Sequence, residues 1–469
     1  MDETLKDKHA VVLGFGRQGK ALARWLPTKG ARVTISDARD AGGLADDLLD
    51  FLTEPVAFAL GGHPVELLDD TDLLCVSGGV PLNLPIVEEA QRRGITVTND
   101  AMLFLERCPG LLIGITGSAG KTTTTTLVGK MSEADGRKTW VGGNIGDVLL
   151  DDLDEMTQDD IIVMELSSFQ LELMTISPDI AAVLNVTPNH LDRHGTLQAY
   201  AAAKSNIFLF QAGNDTTIFG EDNIVAKTLS EMAPARKAFF SARRMVSDGA
   251  FLLGRRVAVV GTSSPTGTAR VVCEKNEIKL RGEHNVSNVL AACALAGAAG
   301  ISVEAMRKAI LEFYGVEHRL EIVAEIQDVL WVNDSIATAP ERVVAALRSF
   351  EEPIILLAGG RDKSLPWSDM AGLAVERCKS VVAFGEHGPM IAQMVNHARR
   401  GTLHGQLRDV KVVETLEEAV KLADQMAAPG DVVLLSPGGT SYDAYMDFAE
   451  RGEHFRELVR DIKNQRRQF

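Results

Sequence analysis

The segment TGSAGKTT, residues 116–123, combines glycines, a lysine and hydroxyls at a spacing suited to holding a polyphosphate. Gly117 and Gly120 let the backbone curl so that its amides converge on phosphate oxygens. A helix starting here adds its positive end, Lys121 reaches the β- or γ-phosphate, and the Thr122 hydroxyl suits Mg²⁺. The general pattern asks for glycine six residues before the lysine, where this chain has Ile115, with Gly114 one residue earlier. Threonines crowd the helix start at 122–126 although β-branched residues are poor helix formers, so a plain structural cap does not account for them.

Mg²⁺ prefers oxygen ligands and retains waters, so such a site needs further hard donors. Glu165, in VMELSSFQL, ends an apolar run that reads as a strand. That position is the carboxyl edge of a parallel sheet, where ligands bind in doubly wound folds. NVTPNHLDRHG (185–195) repeats the arrangement with His190, and Lys204 follows within the helical AYAAAKSNIF. Taken singly, each has an ordinary explanation: a solvated acid, a capping histidine and a solvated lysine. Earlier in the chain, GFGRQG (14–19) with Asp37 at the end of the next strand fits a dinucleotide fingerprint. On its own it reads as a nicotinamide-dependent oxidoreductase, or as a tight turn without a ligand.

The elements that must position these residues recur in three segments. Each is built from strands alternating with helices, which predicts an α/β chain with mostly parallel sheets. The first runs from HAVVLGFGRQGKALARWL to GITVTND and forms a Rossmann-like domain, 1–108. The second opens with LLIGITG and continues through IIVMELSS and IAAVLNVT as a phosphate-loop ATPase-like domain, 109–313. It includes a short antiparallel excursion near 240–282 and a small-residue helix at 284–300. The third, 314–469, has strands at LWVNDS, PIILLAGG, SVVAFG and DVVLLSPGG and is again Rossmann-like. At 469 residues the chain suits about three domains of roughly 150 residues each.

A net charge of −16 with no basic tract argues against binding nucleic acid. No apolar run approaches the roughly 18 residues needed to span a bilayer. The opening MDETLKDKHA has no apolar signal core, so a cytoplasmic chain, neither exported nor anchored, is expected. The five cysteines are scattered without a CxxC pair and read as reduced, buried thiols.

TGSAGKTT, ELSSFQL, NVTPNHLDRH with a helical AAAK, GEHNVSN, GVEHRLE, WVNDSIAT and LLSPGGTSYDAY–DFAERG occur in that order. Together they resemble the Mur ligase family over essentially the whole chain. The resemblance implies an amide ligase of peptidoglycan precursor synthesis in which ATP phosphorylates a carboxylate and an amine then displaces phosphate. It implies UDP-N-acetylmuramoyl-L-alanine as the acid, D-glutamate as the amine, two Mg²⁺ sites and a monomer. It assigns Thr116, Gly117, Ser118, Ala119, Gly120, Lys121, Thr122 and Thr123 to ATP, with Asn285 and Asn288 near the adenine. Arg319 and Asp334 would reach the nucleotide from the third domain. Thr122 and Glu165 would hold one Mg²⁺, and His190 the second. Lys204 matches a lysine carbamylated by CO₂, which turns a cation into a carboxylate-like anion. Lys121, Glu165, His190 and Lys204 thus form the implied catalytic set. Gly14, Gly16, Gly19, Asp37 and Asn144 would bind the UDP-sugar substrate, and Thr338, Lys363, Ser441 and Phe448 the glutamate.

Two positions depart from the family pattern: Ile336 stands where a lysine is usual, and Tyr442 where an aliphatic residue is common. The first leaves L-glutamate open as an alternative amine. A folylpolyglutamate-synthase-like ligase shares the ATP chemistry but lacks a first domain of this type. A non-catalytic nucleotide sensor need not keep the residues that hold the catalytic cations.

Overall fold

The computed structural model describes residues 4–146, 148–264, 266–280, 282–361, 365–401 and 405–467. The chain divides into two compact units, Met1–Phe313 and Tyr314–Phe469. Three sheets account for the strands among the described residues, one for each predicted α/β segment.

The first sheet is wholly parallel, with β1 (His9–Leu13), β2 (Arg32–Asp37), β3 (Val56–Leu60), β4 (Leu73–Val76) and β5 (Thr96–Thr98) ordered β3-β2-β1-β4-β5. The order reverses direction at β1, so the glycine turn after it and the end of β4 flank one crevice, the usual place for a ligand. Every residue of β1 is buried, as expected for a strand covered on both faces.

The second sheet contains β6 (Leu111–Thr116), β7 (Thr139–Gly143), β8 (Ile161–Glu165), β9 (Ile180–Val183), β10 (Thr216–Gly220) and β11 (Arg236–Ser241). It continues through β12 (Gly249–Leu253), β13 (Arg256–Gly261) and β14 (Gly267–Glu274). The order is β14-β13-β12-β11-β10-β9-β6-β8-β7, parallel from β7 to β12. The predicted antiparallel excursion is the edge of this same sheet, where β12, β13 and β14 pair antiparallel. β6 lies between β8 and β9, so the phosphate loop and the ends of both neighbouring strands share one edge.

Gly114 lies inside β6, and a Cβ there would fall 2.3 Å from Pro178 Cγ. Its glycine is therefore a packing requirement of the strand rather than part of the loop. One continuous apolar core joins the first and second sheets, including Phe15, Trp25, Phe104, Leu149, Met164 and Phe208.

The Tyr314–Phe469 unit holds the third sheet: β15 (Glu321–Ile326), β16 (Val329–Asn333), β17 (Ile354–Gly359), β18 (Cys378–Phe384), β19 (Asp409–Val412) and β20 (Val432–Gly438). Its order is β15-β16-β20-β17-β18-β19, parallel except for the β15–β16 hairpin. Two apolar clusters, around Leu356 and Leu357, occupy its opposite faces. Among the described residues no helix is long and apolar enough to cross a membrane.

Candidate functional site

The phosphate loop links β6 to the helix Lys121–Ala134, and Gly120 turns it with φ +84°. A Cβ on Gly120 would lie 2.2 Å from Asn288 Oδ1, so the loop also rests on the helix Glu283–Ala298. Asn185 braces the loop from the end of β9. Its Oδ1 accepts from the Ala119 amide at 2.9 Å, its Nδ2 donates to Ala119 O at 3.0 Å, and its own carbonyl accepts from the Ser118 amide. The Ser118 hydroxyl donates to Thr187 O at 3.0 Å. With the Ser118 and Ala119 amides engaged internally, an anion at this loop would meet the positive start of the helix Lys121–Ala134.

Around this loop the side chains singled out in the sequence converge. Glu165, 2% exposed, accepts from the Thr122 hydroxyl at 2.8 Å and from Asn144 Nδ2 at 3.0 Å. Lys121 Nζ and Lys204 Nζ both donate to the Gly117 carbonyl, at 3.0 and 3.1 Å. Lys204 also donates to Thr116 Oγ1 at 3.1 Å, and that hydroxyl in turn donates to Leu166 O. Burial pulls the Lys204 amine down to about 7; the charge of Lys121 acts in the same direction and Glu165 opposes it. Asn285 belongs to the cluster through Asn288, whose Nδ2 donates to its Oδ1 at 3.0 Å.

His190 sits before the short helix Leu191–His194 with φ +51°, its ring edge-on to Phe169 at 5.2 Å between centroids. The Tyr200 ring connects it to the lysine: His190 lies 6.4 Å from that ring and Lys204 Nζ 4.6 Å above it. His194 stacks on the other residue of the cluster, Phe169, and shares a 3.0 Å hydrogen bond with Ser168 Oγ.

The oxygen donors fit Mg²⁺ chemistry. Thr122 and Glu165 are hard ligands already side by side at the phosphate loop. Among the described residues there is no group of three or more His, Cys, Asp and Glu able to hold a metal alone. Mg²⁺ would accordingly take oxygens of nucleotide and water as well. An ammonium at Lys204 would repel a cation, whereas a carbamate would not.

In the first sheet, the glycine fingerprint separates into two roles. A Cβ on Gly14, at φ +89°, would fall 2.9 Å from Val80 Cγ2, and one on Gly19 1.8 Å from Gly14 O, so Gly14 packs against the segment after β4 and Gly19 lets the helix start close on the turn. Gly16 faces open space at the start of the helix Arg17–Thr28, where a diphosphate could approach the backbone. Asp37 accepts from the Phe15 amide at 2.7 Å and from the Arg39 guanidinium at both oxygens. Burial works against its charge, yet these donors win and hold the carboxyl at about 2. Its acceptors are engaged by the protein, which weakens the reading of a nicotinamide ribose ligand.

In the Tyr314–Phe469 unit, Asp334 follows β16 and accepts from the Leu320 amide and the Ser436 hydroxyl at 3.2 and 2.8 Å. Burial pushes its carboxyl up to about 7 against those bonds and the pull of Arg319 and Arg342. Thr338, Ser441 and Phe448 stand on three segments stitched together by Arg451. That buried guanidinium donates to Ser335 Oγ, Ser335 O and Gly439 O, and the Ser335 hydroxyl donates to Phe448 O at 2.7 Å. Lys363 lies outside the described residues.

Sequence reasoning missed Asn185, Arg39, Tyr200 and Arg451. Asn185 carried a readable signal, since it closes a strand at the same sheet edge as the phosphate loop. Arg451 did not, because nothing local marks an arginine on a charged helix as buried.

Three family profiles cover the chain in order: the Mur ligase MurD-like N-terminal domain at 8–99, the Mur ligase middle domain at 115–296, and the Mur ligase glutamate ligase domain at 318–439. A UDP-N-acetylmuramoylalanine–D-glutamate ligase of Symbiobacterium thermophilum is 41% identical over 96% of this chain and 98% of its own length. An enzyme of the same name from Koribacter versatilis is 39% identical over 98% and 99%. Among solved structures, the UDP-N-acetylmuramate-alanine ligase of Thermotoga maritima matches with a TM-score of 0.55 at 20% identity, covering 97% of this chain and 100% of that one. That likeness is one of fold.

Proposed function

Because the chain belongs to the Mur ligase family, we infer that it joins D-glutamate to UDP-N-acetylmuramoyl-L-alanine at the expense of ATP, in peptidoglycan precursor synthesis. The observation that carries the reaction type is the Thr122–Glu165 pair beside a phosphate loop that also holds Lys121 and the buried Lys204. Likeness to D-glutamate ligases over nearly the whole chain supports the substrates.

The terminal carboxylate of the UDP-sugar substrate attacks the γ-phosphorus of ATP, giving an acyl phosphate and ADP. The glutamate amine then adds to the acyl carbon, loses a proton, and phosphate departs as the amide forms. The first step needs charge neutralised on the transferring phosphoryl group and reactants held in line. The first-turn amides of Lys121–Ala134 and the Lys121 ammonium serve that need. Thr116 to Thr123 form the nucleotide loop, and Asn285 and Asn288 line its far side.

Thr122 and Glu165 would hold one Mg²⁺, and His190 with Lys204 as a carbamate the second; the ions would neutralise charge on the phosphates. The lowered basicity of Lys204 supports carbamylation, because only a neutral amine can add to CO₂. Gly16, with the turn shaped by Gly14 and Gly19, suits the UDP diphosphate, and Asp37 and Arg39 border that turn. Asn144 acts through Glu165, which its side chain holds. Thr338, Ser441 and Phe448, with Lys363, are the glutamate residues. ATP and UDP-sugar are cytoplasmic pools, and the cytoplasm is the compartment inferred.

Phosphate release in the presence of ATP, UDP-N-acetylmuramoyl-L-alanine and each glutamate enantiomer tests this reading. Turnover is expected with D-glutamate and none without the UDP-sugar; turnover with L-glutamate alone would overturn the assigned amine.

A further inference from the structure

The parallel strands of the third sheet start at the edge opposite the one that carries Asp334 and Ser441. Pro353 precedes β17, Lys379 lies at the start of β18, Arg408 precedes β19 and Asp431 precedes β20. With six and seven residues in β17 and β18, the two edges are about 20 Å apart. A groove of about 770 Å³ lies along this amino-terminal edge, with Lys379, Arg399, Gln406, Arg408 and Asp431 as its polar lining. Parallel α/β sheets carry their reaction sites at the carboxyl edge, so the groove stands apart from the residues assigned to glutamate.

Its rim is fixed by backbone bonds. The amides of Gln406 and Leu407 donate to Val375 O at 3.0 and 3.3 Å, and that of Arg408 donates to Lys379 O at 2.9 Å. A Cβ on Gly405 would fall 2.7 Å from Val375 Cγ1, so glycine lets this segment lie against the helix Ser368–Arg377. The acids nearby are matched to lysines: Asp431 takes the Lys379 ammonium, and Asp409 lies 4.0 Å from Lys411. Among the described residues neither the Arg399 nor the Arg408 guanidinium has an ion pair. Arg399 ends the helix Gly388–Gly401, where the dipole favours a cation. Arg408 stands outside any helix, and two like charges lining one groove repel each other. In a chain of net charge −16, this groove therefore presents two cations without a counter-charge.

The free polar groups here are N–H donors: two guanidinium forks and the Gln406 amide. A carboxylate fills one fork, whereas a phosphate offers oxygens to both and carries up to two negative charges. The volume falls in the range of small-molecule sites and exceeds what a bare phosphate fills, so the phosphate belongs to a larger body. We propose that this groove binds a phosphate-bearing ligand, with Arg399 and Arg408 on the phosphate oxygens and Gln406 as a further donor. A soluble phosphate ester and an anionic lipid headgroup share that chemistry. The assignment does not depend on the ligase reading.

The test uses the full-length protein, with MgADP and UDP present to occupy the phosphate loop and the glycine turn of the first sheet. Radiolabelled pyrophosphate is followed by equilibrium dialysis, and phosphatidylcholine vesicles with and without phosphatidylglycerol by co-sedimentation. The wild type should bind in at least one arm, and the double variant Arg399→Gln/Arg408→Gln about tenfold more weakly. The double variant Arg399→Lys/Arg408→Lys should recover part of that loss. A loss confined to pyrophosphate identifies a soluble phosphate ligand, and one confined to phosphatidylglycerol vesicles identifies a lipid surface. Both side chains are exposed, so the variants should melt with the wild type. Hydrogen exchange on the wild type gives a check that needs no variant: the bound ligand should slow amides at 405–412. Equal binding by wild type and glutamine variant in both arms overturns the proposal, as does the absence of binding in both. Slowed exchange confined to the Met1–Phe313 unit overturns it too.

Discussion

Lys204 combines two features that conflict in water: it is 1% exposed, and its amine is a cation at ordinary basicity. Burial beside Lys121 settles the conflict by bringing the amine to about 7. In the unfolded chain the amine keeps its ordinary value of 10.5. The folded state therefore holds fewer protons than the unfolded state between those values, and stability rises with pH across that window. Below about pH 7 the penalty of burying the cation is fully present.

Lys204→Met should accordingly raise the melting temperature more at pH 6 than at pH 9, and calorimetry at both values checks it; a pH-independent difference would contradict the burial argument. The carbamylation proposed for Lys204 predicts that activity depends on dissolved CO₂. Enzyme degassed at low pH should lose turnover and regain it with bicarbonate, faster above pH 7 than below. Restoration that ignores pH would exclude Lys204 as the responsive group. At this scale the sequence was most legible where a residue closes a strand beside a recognisable loop, as Glu165 does; His190 instead precedes the short helix Leu191–His194, beyond the end of β9. It was least legible where a role depends on a distant partner. Asp37 could be placed at its turn, but its capture by Phe15 and Arg39 could not be read from spacing.

Among the elements, the loops around Thr338, Ser441 and Phe448 owe their relative placement to one buried arginine. Burial pulls the Arg451 guanidinium down to about 10, and its carbonyl and hydroxyl acceptors compensate. Arg451→Met preserves much of the volume but strands Ser335 and Gly439 acceptors, a loss of about 2 kcal/mol by the usual cost of unmade buried bonds. KM for glutamate should rise with it. Denaturant unfolding together with glutamate titration checks both, and an unaltered melting profile would show that the loops hold one another without Arg451. The strands β1, β4, β6, β8, β9, β17, β18 and β20 were legible because each centres on an apolar run followed by glycine or a polar turn, whereas β3, β7, β10, β11 and β19 were not read. The β15–β16 hairpin was not. Its turn uses Gln327 and Asp328 at φ +50° and +62°, positions where glycine or asparagine would have advertised the reversal.

For the whole molecule, sheet count and core count differ. The first two sheets were readable as separate α/β segments from their strand–helix alternation, yet Trp25 and Phe104 pack in one apolar cluster with Leu149 and Met156. Periodicity reports which face of an element is apolar and says nothing of which partner covers it, so this shared core was invisible in the sequence. A fragment ending at residue 108 should therefore expose apolar surface, bind a hydrophobic dye and melt without cooperativity. Fragments 1–313 and 314–469 should each give a cooperative transition. Cooperative melting of 1–108 alone would show that the cluster is dispensable.

The division between Phe313 and Tyr314 is crossed by the chain only once. A gene for this protein could thus exchange its last third in a single recombination event. Every hydrogen bond around the phosphate loop, from Asn185 to Lys204, would be inherited intact. On the proposed assignment of the glutamate residues to that unit, selection for a new incoming amine would have one contiguous stretch of coding sequence to act upon.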